Sequence, residues 1–427
     1  MNLENQSQNL KLFGLPAEQG RWVLIALGML LLLCLGTVYS WSIFRKPLET
    51  LLDLGATESL LPYTFVLLFY SALMSVTGFY VDRLGTRRVT MIGGAILGIG
   101  YILSSFATNI SMLIFTYGIL VGTGVGIAYG IPMVIAARWF PDKKGLAVGL
   151  TIVGFGLSPV VTAPLAKVLI NVYGVQQTLL IFGIAFTVII LSIATMLKLP
   201  PKGWQPQGWQ IASQNTVSNN SPQPRLFQTR SFYGLWICYA IGTLVGLSAI
   251  GISSPVAQEI IKMNPNLAAS SVSLFALFNG LSRPLFGWLT DRFSPRYVAV
   301  GSYTLIIIAT ILMMNAQEGQ VATYLTAFCL FWFCLGGWLA LAPAATLTLF
   351  SPENYARNYG IVFTAYGIGA VLGTLTAGRI RDIFGSYTYA FYPMALLAVI
   401  GIFVAIATLK RELIIVKEVD NIEIASR

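Results

Sequence analysis

One arginine, Arg283, lies well inside a long apolar segment of this 427-residue chain. A charge at that depth costs on the order of 3 kcal/mol on insertion scales, and such residues usually serve a function. Arg283 precedes Asp291 by eight residues, which places it about 12 Å along a helix, near the middle of a ~30 Å hydrocarbon layer. Because no Asp or Glu falls within an apolar run, we predict an anion-binding arginine whose guanidinium suits a carboxylate. The alternative is a structural arginine satisfied by backbone carbonyl groups or water.

Aromatic side chains near the middle of other apolar segments could complete a pocket around this arginine. Tyrosine hydroxyl groups donate hydrogen bonds to carboxylates, and aromatic rings can enclose an apolar tail. Each ring could equally pack against lipid or a neighbouring helix, and Trp41 in particular could serve packing alone. The predicted substrate-binding residues are Arg283, Tyr39, Tyr129, Tyr366, Trp338, Phe363 and Trp41.

Several other kinds of chemistry are excluded by what the sequence lacks. The chain contains no histidine, and its four cysteines lie in apolar runs without the spacing of a metal site. It has no nucleotide-binding loop that could couple ATP to transport. We therefore expect neither an enzyme nor a metal or cofactor site.

The composition is that of a protein embedded in a lipid bilayer. Hydrophobic residues make up 56% and charged residues 10% of the chain, against ~25% charged residues in soluble domains. Twelve apolar runs are long enough to cross a membrane as helices. They lie at about 22–44, 60–81, 89–107, 112–137, 145–170, 178–197, 231–257, 269–290, 297–315, 321–349, 358–380 and 388–409.

The positive charges give these helices an orientation. With both termini in the cytoplasm, 19 of the 26 Lys and Arg fall on the cytoplasmic side, six fall on the outer side, and Arg283 remains. This asymmetry satisfies the positive-inside rule for a multi-pass protein, which we place in the plasma (inner) membrane. Because the basic residues are spread over short loops, the net charge of +10 does not indicate nucleic-acid binding.

The two halves of the chain repeat each other. Asp82 and Asp291 follow spans two and eight at an offset of 209, and Pro47 and Pro255 follow spans one and seven at an offset of 208. Duplicated six-helix halves are typical of transporters whose site lies between them near the bilayer midplane. The predicted divisions are an N-terminal half at 1–198, a cytoplasmic linker at 199–230, and a C-terminal half with a short tail at 231–427.

The loop after span two resembles the signature loop of the major facilitator superfamily. Its pattern runs from Gly78 to Arg88, and a weaker copy stands between Gly287 and Arg296. The resemblance implies an all-α membrane fold of twelve helices in two six-helix pseudo-repeats. The signature-loop residues are Gly78, Asp82, Arg83, Gly85, Arg87, Arg88, Asp291 and Arg292.

A narrower resemblance is to the oxalate:formate antiporter family, which includes monocarboxylate transporters. It rests on the segments 36–42, 129–132, 137–145 and 278–284. The resemblance implies that Arg283 binds the substrate carboxylate. The oxalate carrier pairs this arginine with a lysine on helix eleven, where this chain has Tyr366, and no Lys or Arg occurs between Arg357 and Arg379.

One fixed cation neutralises one carboxylate, and a second carboxylate would be desolvated without a counter-charge. We therefore favour a monocarboxylate such as lactate, pyruvate or formate. The alternatives are an oxalate:formate-type dicarboxylate antiporter and a carrier of another small anion.

The expected mechanism is alternating access by a monomeric secondary carrier. Without a membrane-embedded acid or histidine, exchange or facilitated diffusion is favoured over proton symport, which the substrate or a tyrosine could still support. A channel and a membrane sensor are the rival classes.

Overall fold

The protein is described by a computed structural model built almost entirely of long helices. The helices are α1 (Ala17–Leu52), α2 (Ala56–Leu84), α3 (Thr86–Ser104), α4 (Ile110–Trp139), α5 and α6 (together Lys144–Met196), α7 (Arg230–Glu259), α8 (Pro265–Arg292), α9 (Pro295–Met314), α10 (Val321–Leu349), α11 (Tyr355–Phe384) and α12 (Phe391–Thr408). Before α1, strands β1 (Lys11–Leu12) and β2 (Leu15–Pro16) form a small antiparallel hairpin. The structure describes residues 10–201, 204–206, 226–350 and 355–410. For 77–82, 144–145, 291 and 355–357 it describes the backbone alone.

The prediction of an all-α fold with twelve spans is confirmed. Within the described residues, nine segments are long and apolar enough to cross a membrane, and one of them, Leu146–Met196, is 51 residues long. That segment is two helices, because Gly174 at φ 81° and ψ 169° breaks the helical backbone. The nine segments thus contain ten helices. The other two of the twelve helices are α3 and the more polar α8, which carries Arg283.

Helices α1–α6 form one half and α7–α12 the other, and the halves meet along two main helix pairs. Helix α2 packs against α11, and α5 packs against α8. Small polar side chains hydrogen bond across the first pair, as in the 2.5 Å contact between the hydroxyl groups of Thr64 and Thr374. Such residues let membrane helices approach closely. Helices α8 and α11, which carry Arg283 and Tyr366, therefore both lie where the halves meet.

The ends of two helices differ from the prediction. Helix α1 passes through a 3₁₀ turn at Gly36–Ser40 and continues to Leu52, so Pro47 lies inside it. Arg45, one of the six basic residues that the charge count placed on the outer side, is fully buried. Acidic residues also occur within the helices, since α1 contains Glu49 and α7 ends at Glu259. Arg45 and Glu49 lie in the last two turns of α1 and pair with each other, and Glu259 is the last residue of α7, whereas Arg283 lies well inside α8.

The start of α1 and the end of α12 lie at the same end of the bundle, which we call the terminal end. There Arg21 at the start of α1 donates two hydrogen bonds, of 2.6 and 2.9 Å, to the carboxylate of Asp142 between α4 and α5. Burial raises the pKa of Asp142, but hydrogen bonds and charge from Arg21 outweigh it and hold the pKa below its usual value. Arg21 thereby ties the first helix to the α4–α5 loop.

The predicted linker at 199–230 lies largely outside the described residues. From its described part, the Trp204 ring packs on Trp139 at 4.8 Å between ring centroids. The predicted tail after Lys410 also lies outside the described residues.

Candidate functional site

Arg283 lies on α8 where the two halves touch, and it is 5% exposed. Its Nη1 donates to the carbonyl oxygen of Ile152 on α5 at 2.9 Å, across the interface. Its Nη2 donates to Oδ1 of Asn279, one helical turn earlier, at 3.1 Å, and its Nε has no partner among the described residues. Both partners are neutral. The guanidinium therefore meets no counter-charge in these two partners, and its Nε–H group is unused, as a site for an anion requires.

Arg45 shows what a structural arginine looks like in the same protein. It donates to the hydroxyl groups of Ser59 and Tyr387 at 2.8 to 2.9 Å and to two backbone carbonyl oxygens. It also contacts the carboxylate of Glu49 at 3.2 Å. Its charge is therefore paired and its donors are used, in contrast to those of Arg283. The two buried arginines differ in what they leave available for a ligand.

Two of the predicted tyrosines meet between the halves. Tyr39 on α1 and Tyr366 on α11 are both buried, and their hydroxyl groups hydrogen bond at 3.0 Å. Tyr39 lies in the 3₁₀ turn that interrupts α1, and its ring packs on Phe155, the neighbour of the Gly156 against which the Arg283 guanidinium lies. A 3₁₀ turn in the middle of a helix often marks a functional position. The pair could open to direct a hydroxyl donor toward a bound carboxylate.

A cluster of rings surrounds this tyrosine pair, and Tyr70 on α2 lies at its centre. The Tyr70 ring centroid is 5.0 Å from Tyr129, 5.8 Å from Phe155, 5.9 Å from Phe363 and 5.5 Å from Tyr366. These five rings and Tyr39, which meets Phe155 at 5.0 Å, are called the aromatic cluster below. It brings together four of the predicted residues, namely Tyr39, Tyr129, Phe363 and Tyr366.

Three residues of this region escaped the sequence reasoning, namely Tyr70, Phe155 and Asn279. Tyr70 has the same mid-span position that drew attention to the other tyrosines. Asn279 precedes Arg283 by four residues, which places both on one face of α8. Nothing in the sequence indicated Phe155.

Trp41 and Trp338 lie outside the aromatic cluster. Trp41 packs on Tyr117 at 4.3 Å and donates to the carbonyl oxygen of Ser59, entirely within the N-terminal half. Trp338 packs on Tyr303 at 5.4 Å and on Tyr239 at 6.3 Å within the C-terminal half. Trp338 therefore supports the site from one layer behind, through the contact of Tyr239 with Phe363.

The predicted signature loop lies at the terminal end of the bundle. Arg83, Arg87 and Arg88 are exposed, and Gly85 precedes α3 with φ of 79°. In the weaker copy, Arg292 lies over the ring of Trp288. The side chains of Asp82 and Asp291 and the surroundings of Gly78 lie outside the described part of the structure.

At the opposite end of the bundle, called the distal end, charged groups join the two halves. Lys46 on α1 contacts the carboxylate of Glu259 on α7, which also accepts a 2.6 Å hydrogen bond from Arg381. Asp382 on α11 accepts from the backbone N–H groups of Ala56 and Thr57 at 2.9 and 3.0 Å. These last two bonds cap α2, where a helix has free N–H groups and a positive dipole end. The halves are thus held closed at the distal end.

Comparison with protein families and known proteins agrees with this architecture. The model of the Major Facilitator Superfamily matches residues 22–256 and 235–418. The oxalate:formate antiporter of Oxalobacter formigenes is 28% identical over 392 residues, covering 90% of this chain and 90% of that protein. Monocarboxylate transporter 14 of Mus musculus is 24% identical over 399 residues, covering 76% of this chain and 77% of that protein.

Among solved structures, a bacterial homologue of the human lysosomal transporter Spinster, in an inward-facing and occupied conformation, superposes with a TM-score of 0.70. It is 15% identical, and the match covers 90% of this chain and 96% of that one. This likeness shows a shared fold. The family match and the relatives confirm the resemblance that the sequence motifs indicated.

Proposed function

Because the chain belongs to the Major Facilitator Superfamily, we propose that it is a secondary transporter of small organic anions that works by alternating access. The favoured substrate is a monocarboxylate of the lactate, pyruvate or formate type. The proposal assigns the substrate carboxylate to Arg283 and the walls of the site to the aromatic cluster.

The observation that carries the proposal is the state of Arg283. A buried cation between two mobile halves, with neutral partners and a donor to spare, fits an anionic ligand. In the described part of the chain, no carboxylate lies within 4 Å of the guanidinium nitrogens to compete with that ligand. Relatives of the chain include proteins named as an oxalate:formate antiporter and as a monocarboxylate transporter.

The preference for one carboxylate over two rests on Tyr366. Tyr366 occupies the helix α11 position at which we expect a second cation in an oxalate carrier, and it is buried against Tyr39. A second carboxylate would meet phenol hydroxyl groups there and would lose water without gaining a counter-charge. A dicarboxylate antiporter of the oxalate:formate type is the second candidate, favoured by the 28% identical relative, and a carrier of another small anion is the third.

The charge of Arg283 also favours anion exchange as the transport mechanism. An empty carrier would have to reorient with the charge of Arg283 uncompensated in a low-dielectric interior, whereas a bound anion neutralises it. Proton symport would require the proton to travel on the substrate or on a tyrosine of the aromatic cluster. The proposal therefore favours obligatory exchange or facilitated diffusion over a dedicated proton relay.

The chain is a multi-pass membrane protein, and the finer placement is part of the proposal. The terminal end, with the exposed arginines of the signature loop, faces the cytoplasm across a plasma (inner) membrane. The N-terminal half at 1–198 and the C-terminal half at 231–427 rock about the site as a monomer, joined by the 199–230 linker.

The test is a counterflow panel in proteoliposomes loaded with lactate, pyruvate, formate or oxalate. The proposal expects radiolabelled lactate, pyruvate or formate to enter faster when an unlabelled monocarboxylate is inside. Saturable counterflow confined to oxalate would replace the favoured substrate with the dicarboxylate alternative. Conductance without trans-stimulation would indicate a channel and would refute the carrier mechanism.

A further inference from the structure

We propose that Asn279 is the positioning residue for Arg283, and that its neutral amide is what leaves the arginine charge free for the substrate. This inference rests on the proposed function and adds a residue to it. Three features of the structure support it, namely the geometry of the amide, the clearance at Gly156 and the neutrality of the surroundings.

The amide of Asn279 bridges two groups that have opposite requirements. Its Nδ2 donates to the carbonyl oxygen of Trp332 on α10 at 2.9 Å, and its Oδ1 accepts from Nη2 of Arg283 at 3.1 Å. A carbonyl oxygen can only accept and a guanidinium can only donate, so one orientation of the amide satisfies both. Asn279 is fully buried. Its two hydrogen bonds fix its rotamer and the plane of the guanidinium.

The anchor at Trp332 is itself held in place. The indole Nε1 of Trp332 donates to Oγ of Ser253 on α7 at 3.1 Å. The three hydrogen bonds that link Ser253, Trp332, Asn279 and Arg283 all lie within the C-terminal half. The bond from Arg283 to Ile152 crosses to the other half, so the arginine is oriented by its own half and released by the opposite one during rocking.

Gly156 on α5 provides the space in which this arrangement fits. A Cβ atom at Gly156 would lie 2.9 Å from Oδ1 of Asn279 and 3.0 Å from Nη2 of Arg283. Because real Cβ contacts are seldom so short, any side chain there would displace the Asn279–Arg283 hydrogen bond. Gly156 on α5 leaves room for the Arg283 guanidinium, and the Asn279 amide on α8 holds it in place.

The effect of a negative charge at position 279 distinguishes a positioning role for Asn279 from a packing role. An aspartate has nearly the shape of asparagine and would keep the bond to Arg283. Its carboxylate would neutralise the guanidinium within the protein, take the place of the substrate anion, and present an acceptor to the carbonyl oxygen of Trp332. A packing role predicts that the substitution closest in shape does the least harm to substrate affinity. The positioning role predicts that Asn279→Asp does more harm than Asn279→Ala.

The experiment measures counterflow of radiolabelled lactate, pyruvate and formate by the full chain in proteoliposomes, with KM and maximal rate determined separately. For Asn279→Ala we expect KM to rise about tenfold, the effect of one hydrogen bond to a charged group, with a smaller change in maximal rate. For Asn279→Asp we expect KM to rise about a hundredfold or more. Asn315→Asp, which makes the same change at an exposed position directly after α9, is the matched control and should leave KM unchanged.

The result that overturns the inference is an Asn279→Asp carrier with KM within threefold of the wild type, or one less impaired than Asn279→Ala. Melting temperatures in detergent show whether each variant folds. If Asn279→Asp does not fold, Asn279→Ala decides, since a raised KM supports the positioning role and an unchanged KM refutes it. If the wild type exchanges none of the probes, the proposed function itself fails. If exchange requires Arg283 but not Asn279, this inference alone fails.

Discussion

The contact of Lys46 with Glu259 at the distal end should control which side of the protein is open. Glu259→Gln keeps the shape of the side chain and removes its charge, so it breaks the ion pair that crosses the halves. The pair is partly exposed, with 34% of the Lys46 side chain and 20% of the Glu259 side chain accessible. A pair of this exposure contributes about 1 kcal/mol. The Arg381 contact lies within one half and does not change on opening. We therefore expect the distal-open population to rise about fivefold.

The assay is a distance measurement between spin labels on exposed Thr50 and Ser270, which belong to opposite halves at the distal end. The four native cysteines are buried, so labelling can be directed to introduced ones. Glu58→Gln is the matched control, because Glu58 accepts from the backbone N–H of Gly55 within its own half. An unchanged distance distribution in Glu259→Gln, or an equal change in the control, would refute the reasoning.

Three further predictions concern the site and the terminal end. Tyr366→Lys adds a second cation beside the aromatic cluster, so oxalate should compete with lactate more strongly than in the wild type, as measured by inhibition of counterflow; no gain in competition would contradict the charge argument. Tyr39→Phe removes one hydroxyl of the tyrosine pair and should raise KM severalfold without loss of folding, in uptake kinetics beside a melting curve. Asp142→Asn should lower the melting temperature by a few degrees near neutral pH. Since the folded pKa of Asp142 is lowered, its stabilisation is present above the unfolded pKa and is lost as pH falls through the folded pKa, so wild type and variant should converge in acid.

The sequence could predict the helices because lipid demands long apolar segments, and that requirement is local. It underestimated the length of α1, which continues to Leu52, for a physical reason. Arg45 and Glu49 remain in a buried helix because they bond to each other and to Ser59, and hydropathy measures preference for water without counting such partners. The 3₁₀ turn at Gly36–Ser40 likewise depends on packing between helices.

The site could be predicted only where a single residue was conspicuous. Arg283 stands out because an ionised group in an apolar span is costly wherever it packs. Asn279 and Gly156 acquire their roles from contacts between α8, α10 and α5, which lie far apart in the chain. Trp41 and Tyr39 are two residues apart in sequence, yet only Tyr39 reaches the aromatic cluster, because residues two apart on a helix point to different faces. The substrate-binding roles themselves stay predictions.

The most direct test of the central claim is calorimetric binding of the exchanged monocarboxylate to the purified wild type and to Arg283→Gln. The wild type should bind the anion, and the variant should bind it at least about a hundredfold more weakly, which corresponds to the loss of a charge-assisted contact in a buried site. Binding by Arg283→Gln with the affinity of the wild type would contradict the account, because the anion would then be held by some other group.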